Sequence, residues 1–175
     1  GRWINFWICR QPEKFQRSRI LIMPLEIERK FLVNSDRYKI GAKPVHIMQA
    51  YLTIQNQLAI RVRIEGRNAS LAIKSKVSER VNREYEYSIP LDEAQSMMKL
   101  SEHSVITKTR YLVDFKRHTW EVDEFHGDNE GLVVAEIELD DENEIFEKPD
   151  WLDDEVTSDY RYLNSNLSKS SYKTW

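Results

Sequence analysis

The sequence predicts a mostly β domain, either an antiparallel barrel or a strongly curved sheet, with only short helices between its strands. About eight segments alternate apolar and polar residues with a period of two, the spacing of a half-buried strand. Short turns, such as the one at residues 66–68, join neighbouring segments in hairpin order. Only one segment has a convincing helical period. Many consecutive strands with few helices are typical of barrels.

The predicted strands follow one another along most of the chain. They cover residues 25–33, 46–53, 58–65, 71–77, 82–89, 105–115, 120–125 and 132–139. The first strand places Glu26, Glu28 and Lys30 on one face and mainly apolar residues on the other. Its two carboxylates lie about 6.6 Å apart along the strand and point the same way. That arrangement suits shared ligation of a hard divalent cation, although for a single strand taken alone a solvated face is the favoured explanation.

The helices are predicted to be few and short. An amphipathic helix begins after Pro90, with Leu91, Ala94, Met97 and Met98 on its apolar side. Shorter helices are expected after residues 34–36 and in the tail, where Ser158 or Asp159 is the cap. The acidic segment 140–155 is expected to hold one short helix plus a loop ended by Pro149.

Length and composition indicate one domain. The chain has 175 residues, 41% hydrophobic and 31% charged, with a net charge of −3. Residues 1–22 are basic, and the remaining 21 basic and 28 acidic side chains give a net charge of −7, which argues against a general nucleic-acid binder. We interpret residues 1–22 as an appendage and 23–175 as the domain, with Met23 as the natural start.

Membrane and disulfide classes are disfavoured. No apolar run approaches the roughly 18 residues that a membrane helix needs. Cys9 is the single cysteine, so no intramolecular disulfide can form, and a reducing, cytoplasmic location is expected.

Like charges recur as same-face pairs on seven of the predicted strands. The acidic pairs are Glu26 and Glu28, Glu84 and Glu86, Glu121 and Asp123, and Glu136 and Glu138; the basic pairs are Arg61 and Arg63, Lys74 and Lys76, and Lys108 and Arg110. Solvated faces normally mix the two signs, and like charges repel unless a ligand or a counter-charge lies between them. The segregated signs therefore favour a charged barrel interior over solvated faces.

The residue types indicate which ligands such an interior would take. Carboxylates without His or Cys partners favour Mg²⁺ or Mn²⁺ over zinc. Arginine and lysine suit phosphate oxygens, which the carboxylate-bound metal would help to neutralise. No Gly-rich phosphate loop is present, and the histidines, at 46, 103, 118 and 126, have no ligand spacing, so we read them as surface or turn residues.

The chain resembles the CYTH superfamily, also called the triphosphate tunnel metalloenzymes. Residues Glu26 to Lys30 match the family's ExExK signature, which is short on its own. The order of the later motifs is more specific: Arg61-Val62-Arg63, Ile73-Lys74-Ser75-Lys76, Arg83-Glu84-Tyr85-Glu86, Lys108-Thr109-Arg110, Glu121-Val122-Asp123 and Glu136-Ile137-Glu138. The segment 156–164 resembles the family's closing segment, so the resemblance covers about residues 24–170.

The resemblance implies an eight-stranded antiparallel barrel that encloses a charged tunnel for a linear triphosphate. Carried over by position, the metal ligands would be Glu26, Glu28, Glu136 and Glu138. The phosphate-binding residues would be Lys30, Arg61, Arg63, Lys74, Lys76, Lys108 and Arg110, with Lys76 in a position that varies among relatives. The remaining catalytic candidates are Glu84, Glu86 and Asp123: the two glutamates would orient basic side chains or polarise water, and Asp123 would lie near the metal.

The function implied is metal-dependent phosphoryl transfer with Mg²⁺ or Mn²⁺. The resemblance favours an inorganic triphosphatase that converts tripolyphosphate to pyrophosphate and phosphate, without nucleic-acid or membrane partners. Hydrolysis of nucleoside or thiamine triphosphates and cyclisation of ATP stay open, although residues 1–25 lack the His-Phe pair frequent in cyclases of the family. A non-catalytic polyphosphate-binding module and a purely structural β protein are the other classes, and both a monomer and a homodimer are open.

Overall fold

The structure, a computed structural model, describes residues 25–175 and contains a nine-stranded antiparallel sheet. The proposed appendage, residues 1–22, lies outside the described residues. The strands are β1 (Leu25–Val33), β2 (Pro44–Gln55), β3 (Leu58–Glu65), β4 (Asn68–Lys76), β5 (Val81–Ser88), β6 (Ile106–Phe115), β7 (His118–Phe125), β8 (Val133–Leu139) and β9 (Leu152–Glu155). The helices are α1 (Leu91–Met98) and α2 (Asn164–Leu167), with short 3-10 turns at Asp36–Lys39, Gly127–Asn129, Tyr160–Tyr162 and Tyr172–Thr174.

Eight of these strands form a closed ring. Their order is β5-β4-β3-β2-β6-β7-β8-β1, and a short pairing of β1 with β5 closes the ring at Leu25↔Arg83, Glu26↔Asn82 and Ile27↔Val81. The predicted eight-stranded antiparallel arrangement is therefore confirmed. The helix predicted after Pro90 is confirmed as α1. In the tail, Asp159 caps the 3-10 turn Tyr160–Tyr162 by accepting a hydrogen bond from the Arg161 amide.

Two hydrophobic clusters lie outside the ring. On one side, Phe31, Trp120, Val122 and Ile137 pack beneath the segment that carries Trp151. On another side, α1 packs against outward residues of β2, β3 and β4. Because side chains alternate along each strand, covering the outer face with apolar packing directs the charged positions inward.

One end of the interior is apolar. Ile106, Phe125 and Val134 continue the inward positions of β6, β7 and β8, and they pack with Leu32 and with Leu167 of α2. Thr157 fixes the start of this C-terminal segment because its hydroxyl accepts a hydrogen bond from the backbone N–H of Lys30 at 3.0 Å. The charged interior is thus bordered by apolar packing at this end, and at the opposite end, called the open end below, Glu138 is exposed to solvent.

The acidic segment differs from its prediction. Residues 140–155 contain no helix; they run through turns into β9, which pairs with β1 at Phe31↔Glu155 and Val33↔Leu152. The pairing between β5 and β1 ends at Ile27, so the backbone of β1 beyond that point needs another partner, and β9 supplies it. Of the helices between Leu25 and Trp175, none is long and apolar enough to cross a membrane.

Candidate active site

The interior is a charged cavity of about 490 Å³. Most of the predicted site residues line it: Glu26, Glu28, Lys30, Arg61, Arg63, Lys74, Lys76, Glu84, Glu86, Arg110, Glu136 and Glu138. Lys108 and Asp123 lie deeper, buried against each other beside the apolar end. The structure therefore brings the predicted acidic and basic pairs into one enclosure.

Two lysines bridge the acidic strands. Lys30 Nζ lies 2.5 Å from Glu136 Oε1 and 3.3 Å from Glu28 Oε2. Lys74 Nζ lies 2.6 Å from Glu26 Oε2 and 3.3 Å from oxygens of both Glu28 and Glu84. Burial opposes both ammonium charges, but the surrounding carboxylates outweigh it and raise the pKa of each lysine. Both side chains therefore remain cationic.

Asp123 holds two cations at the deep end. It accepts two hydrogen bonds from the Arg110 guanidinium, each 2.7 Å, and one from Lys108 Nζ at 2.5 Å. Burial lowers the pKa of Lys108 to about 8 despite the nearby carboxylate. Burial also disfavours the charge of Asp123, yet Lys108 and Arg110 prevail and lower its pKa. The Asp123 carboxylate therefore holds Lys108 and Arg110 in place through these hydrogen bonds.

The two arginines of β3 have different partners. Arg61 Nη2 lies 2.8 Å from Glu84 Oε1 and 3.8 Å from Glu86. Arg63 instead donates from Nε and Nη2 to Oε1 of Gln49, at 3.3 and 3.2 Å. Glu86 is half-exposed and accepts a hydrogen bond from the Ser70 hydroxyl at 2.5 Å.

The carboxylates near the open end differ in protonation. Burial, together with a hydrogen bond to Glu84, raises the pKa of Glu26 to about 8. Burial also opposes the charge of Glu28, but Lys30 and Lys74 overcome it and lower its pKa. Burial and the neighbouring Glu28 charge raise the pKa of Glu138. At this end the carboxylates outnumber the basic side chains, so the carboxylate that pairs with both lysines has a lowered pKa and the others have raised ones.

The comparisons with known proteins identify the family. The model of the CYTH domain matches residues 24–172, which is most of the chain. The chain belongs to the CYTH domain family. The family assignment made from the ExExK signature and the later motifs is confirmed.

Named relatives of this CYTH domain include two inorganic triphosphatases. The one from Acetivibrio thermocellus is 49% identical over 154 residues, covering 87% of this chain and 99% of the relative. The one from Nitrosomonas europaea is 33% identical over 152 residues, covering 83% and 97%. A crystal structure of an inorganic triphosphatase is 32% identical, with a TM-score of 0.60, and covers 82% of this chain and 93% of that one.

The residues of the CYTH domain fit a hard divalent cation at the open end. Glu28 and Glu138 lie directly opposite each other in the β1–β8 register. Among the described residues, Glu138 has no cationic partner within ion-pair distance, whereas Glu28 is paired with Lys30 and Lys74. Within 25–175 no three acidic or imidazole side chains are already grouped as ligands. Glu28 and Glu136 are instead turned toward Lys30, so binding a cation there requires those ion pairs to open.

The sequence-based site omitted several residues that the CYTH fold places in or beside the cavity. Gln49 and Tyr51 of β2 are buried next to Arg63. Glu121 forms an ion pair with Arg110 and lines the cavity. Its place in the predicted acidic pair with Asp123 was the sequence signal that could have assigned it to the site. Asn164 of α2 accepts a hydrogen bond from Lys108 at 3.3 Å. Neutral Gln, Tyr and Asn break no sign pattern, so nothing in the sequence distinguished them.

His118 is the histidine whose surroundings depart from our reading of a surface or turn residue. Its side chain is 13% exposed, and its Nε2 lies 2.8 Å from Glu144 Oε1. It lines a second recess of about 500 Å³ at the open end, which shares Glu28, Glu121, Glu136 and Glu138 with the main cavity.

Proposed function

We propose that this protein is a metal-dependent hydrolase of linear triphosphates, with inorganic tripolyphosphate as its substrate and pyrophosphate and phosphate as its products. The observation that carries the proposal is a closed ring whose interior concentrates arginines and lysines beside an excess of carboxylates at one end. A short linear polyanion matches the cations, and a divalent cation matches the carboxylates. The names of the two relatives, which align over nearly their whole length, support the same activity.

The basic side chains would bind the phosphates. Arg61, Arg63 and Arg110 offer planar guanidinium groups that can bind phosphate oxygens through two parallel hydrogen bonds. Lys30 and Lys74 add compact charges on the same wall, Lys76 lies exposed at its rim, and the buried Lys108 adds its charge from behind the wall, against Asp123. These groups stabilise the charge that develops on the departing pyrophosphate when water attacks the terminal phosphorus and the bridging P–O bond breaks.

The carboxylates divide into two groups. Glu26, Glu28, Glu136 and Glu138 would hold Mg²⁺ or Mn²⁺, since their oxygen-only donor set suits these hard cations. The bound metal would neutralise phosphate oxygens and lower the pKa of water. Glu84 and Asp123 are engaged by Arg61 and by Arg110, so we assign them to positioning the cations. The half-exposed Glu86 is freer to accept a proton from the attacking water.

Metal-dependent phosphate release from tripolyphosphate tests this function. We expect hydrolysis with Mg²⁺ or Mn²⁺, none with EDTA, and slower turnover of ATP and thiamine triphosphate. Arg61→Gln should lose most activity, whereas Arg67→Gln, in the exposed β3–β4 turn, should not. An enzyme that ignores tripolyphosphate but hydrolyses one of the other two would assign a different substrate, and no release from any of them would refute the proposal.

Melting curves test binding separately from turnover. Tripolyphosphate with Ca²⁺, at a hundredfold excess over Kd, should stabilise the folded state by about 2.7 kcal/mol. For a domain of this size, we expect a rise in Tm of roughly 5–10 °C. Orthophosphate cannot span several cations and should give much less, and double-stranded DNA should give no shift. Equal shifts from orthophosphate and tripolyphosphate would rule out a site built for three phosphates in a row.

A further inference from the structure

The interior cations differ in how their charge is compensated. Lys30, Arg61, Lys74, Lys108 and Arg110 each lie within ion-pair distance of at least one carboxylate. In the described part of the chain, Arg63 has no carboxylate within that distance, although its side chain is partly buried and lines the same cavity. Its hydrogen-bond partner is the neutral amide of Gln49.

Gln49 is placed to hold the Arg63 guanidinium. The two residues are paired in the β2–β3 register, and the Gln49 side chain is completely buried. Its Oε1 accepts from both Nε and Nη2 of Arg63, and its Nε2 donates to the Tyr51 hydroxyl at 3.4 Å. A guanidinium can only donate, so the amide must present its oxygen to Arg63 and its NH₂ to Tyr51. The orientation of the amide is thereby fixed.

A partly buried guanidinium without a counter-charge is energetically unfavourable, and a role in binding an anion is a physical reason for keeping it there. Burial, followed by repulsion from Arg61 and Arg110, lowers the pKa of Arg63 from its ordinary value. At each of the other interior cations, an incoming phosphate meets a group whose charge a neighbouring carboxylate already offsets. At Arg63 a phosphate displaces only a neutral amide contact or leaves it in place.

We propose that Gln49 is a positioning residue that holds Arg63 as an uncompensated anion anchor, the group that a phosphate of the substrate engages without opening an ion pair. This inference rests on the proposed triphosphate function. It makes the neutrality of residue 49 a determinant of substrate affinity. A glutamate there would have nearly the same shape but would occupy Arg63 with a permanent carboxylate.

Two substitutions separate charge from shape. Gln49→Glu supplies Arg63 with a counter-charge, and Gln49→Met removes the acceptor without adding charge. Gln57→Glu, which adds the same charge at the exposed cavity rim, is the matched control for general repulsion. The Kd of tripolyphosphate with Ca²⁺ is measured by calorimetry, and Tm is measured without ligand.

We expect Gln49→Glu to weaken binding roughly 10- to 100-fold, the range of a charge-assisted hydrogen bond, without lowering Tm. Gln57→Glu should weaken it less than about threefold, because the added charge is exposed and screened. A purely structural role would lower Tm and affinity together. If Gln49→Glu and Gln57→Glu weaken the binding of tripolyphosphate equally, the role of Arg63 as an uncompensated anion anchor is refuted.

A double-mutant cycle covers the case in which Gln49→Glu folds poorly. Gln49→Met should weaken binding in the wild-type background but change Kd little in an Arg63→Gln background, because the amide acts through Arg63. An undiminished effect of Gln49→Met in the absence of Arg63 would refute the inference. Wild-type protein that does not bind tripolyphosphate would refute the proposed function itself, whereas binding without this coupling would refute only the role of Gln49.

Discussion

Glu138→Gln should abolish turnover while leaving the metal-free protein at least as stable as the wild type. Glu138 faces Glu28 across the β1–β8 pair and, within residues 25–175, has no cationic partner. Replacing it with a neutral amide removes a like-charge repulsion, worth about 0.2–1 kcal/mol for directly opposed residues. Its partial exposure to solvent places the gain at the low end, a rise in Tm of about 1 °C. An amide also ligates a hard divalent cation poorly, so activity should be lost.

Glu28→Gln is the matched comparison. Sequence reasoning alone predicts the same small gain in stability for Glu28→Gln and Glu138→Gln, since each glutamate belongs to an acidic pair. In the structure, however, Glu28 accepts hydrogen bonds from Lys30 and Lys74, both at 3.3 Å. Weakening these charge-assisted contacts should cost about 1–3 kcal/mol, a fall in Tm of roughly 3–9 °C. Glu28→Gln should therefore lose both activity and stability.

The assay combines melting in EDTA with tripolyphosphate hydrolysis in Mg²⁺. Glu142→Gln, in the exposed acidic loop, should leave both quantities unchanged. If Glu138→Gln retains near wild-type hydrolysis, Glu138 is not a metal ligand. If the two variants change Tm by the same amount and in the same direction, the distinction between a paired and an unpaired carboxylate is wrong.

Three further predictions concern the cations, pH and the N-terminal residues. Asp123→Asn leaves Lys108 and Arg110 without their shared buried carboxylate and should destabilise the protein by about 3–5 kcal/mol in urea titrations; a loss below 1 kcal/mol would contradict it. Burial opposes the charge of Glu84, but Glu26, Lys74 and Arg61 lower its pKa to about 2, so its contribution to stability should be present above pH 4.5 and disappear as the pH falls toward 2. Glu84→Gln should reduce the fall of the urea unfolding midpoint between pH 4.5 and 2. If the midpoint of this variant falls with pH as steeply as that of the wild type, Glu84 is not the group responsible. Removing residues 1–22 should alter neither Tm nor kcat, since the family match begins at residue 24; a large fall in Tm would show that they pack on the domain.

The fold could be predicted to a large extent because its alternation of side chains is simple and its charges are segregated by strand. The bounds of β1 and β3 agree with the predicted 25–33 and 58–65, and the ring of eight strands matches the hairpin order. The segment 152–155 was missed as a strand because its pattern is acidic and short. It forms β9 only because β5 leaves part of β1 unpaired, a tertiary circumstance that a local pattern does not report.

The identities of the site residues could be predicted, but their pairing could not. Period-two alternation places Lys30 and Glu136 on inward faces, and the register between strands then decides that they meet at 2.5 Å. Two residues with the same charge acquire different properties in this way. Glu28, held by lysines, has a lowered pKa, whereas Glu138, opposite it, has a raised one.

The same compensation of charges explains how an interior with so many charged side chains can be stable. Isolated buried charges cost several kcal/mol each, and the enclosure offsets this by pairing lysines and arginines with the glutamates that would otherwise be free for metal. A substrate and a cation that enter together would relieve both sets of charges: the phosphates would take over basic groups from the carboxylates, and the metal would take over the released carboxylates. Neither partner alone satisfies both sets of charges. Tripolyphosphate and the divalent cation should consequently bind with positive coupling, each lowering the Kd of the other by the same factor.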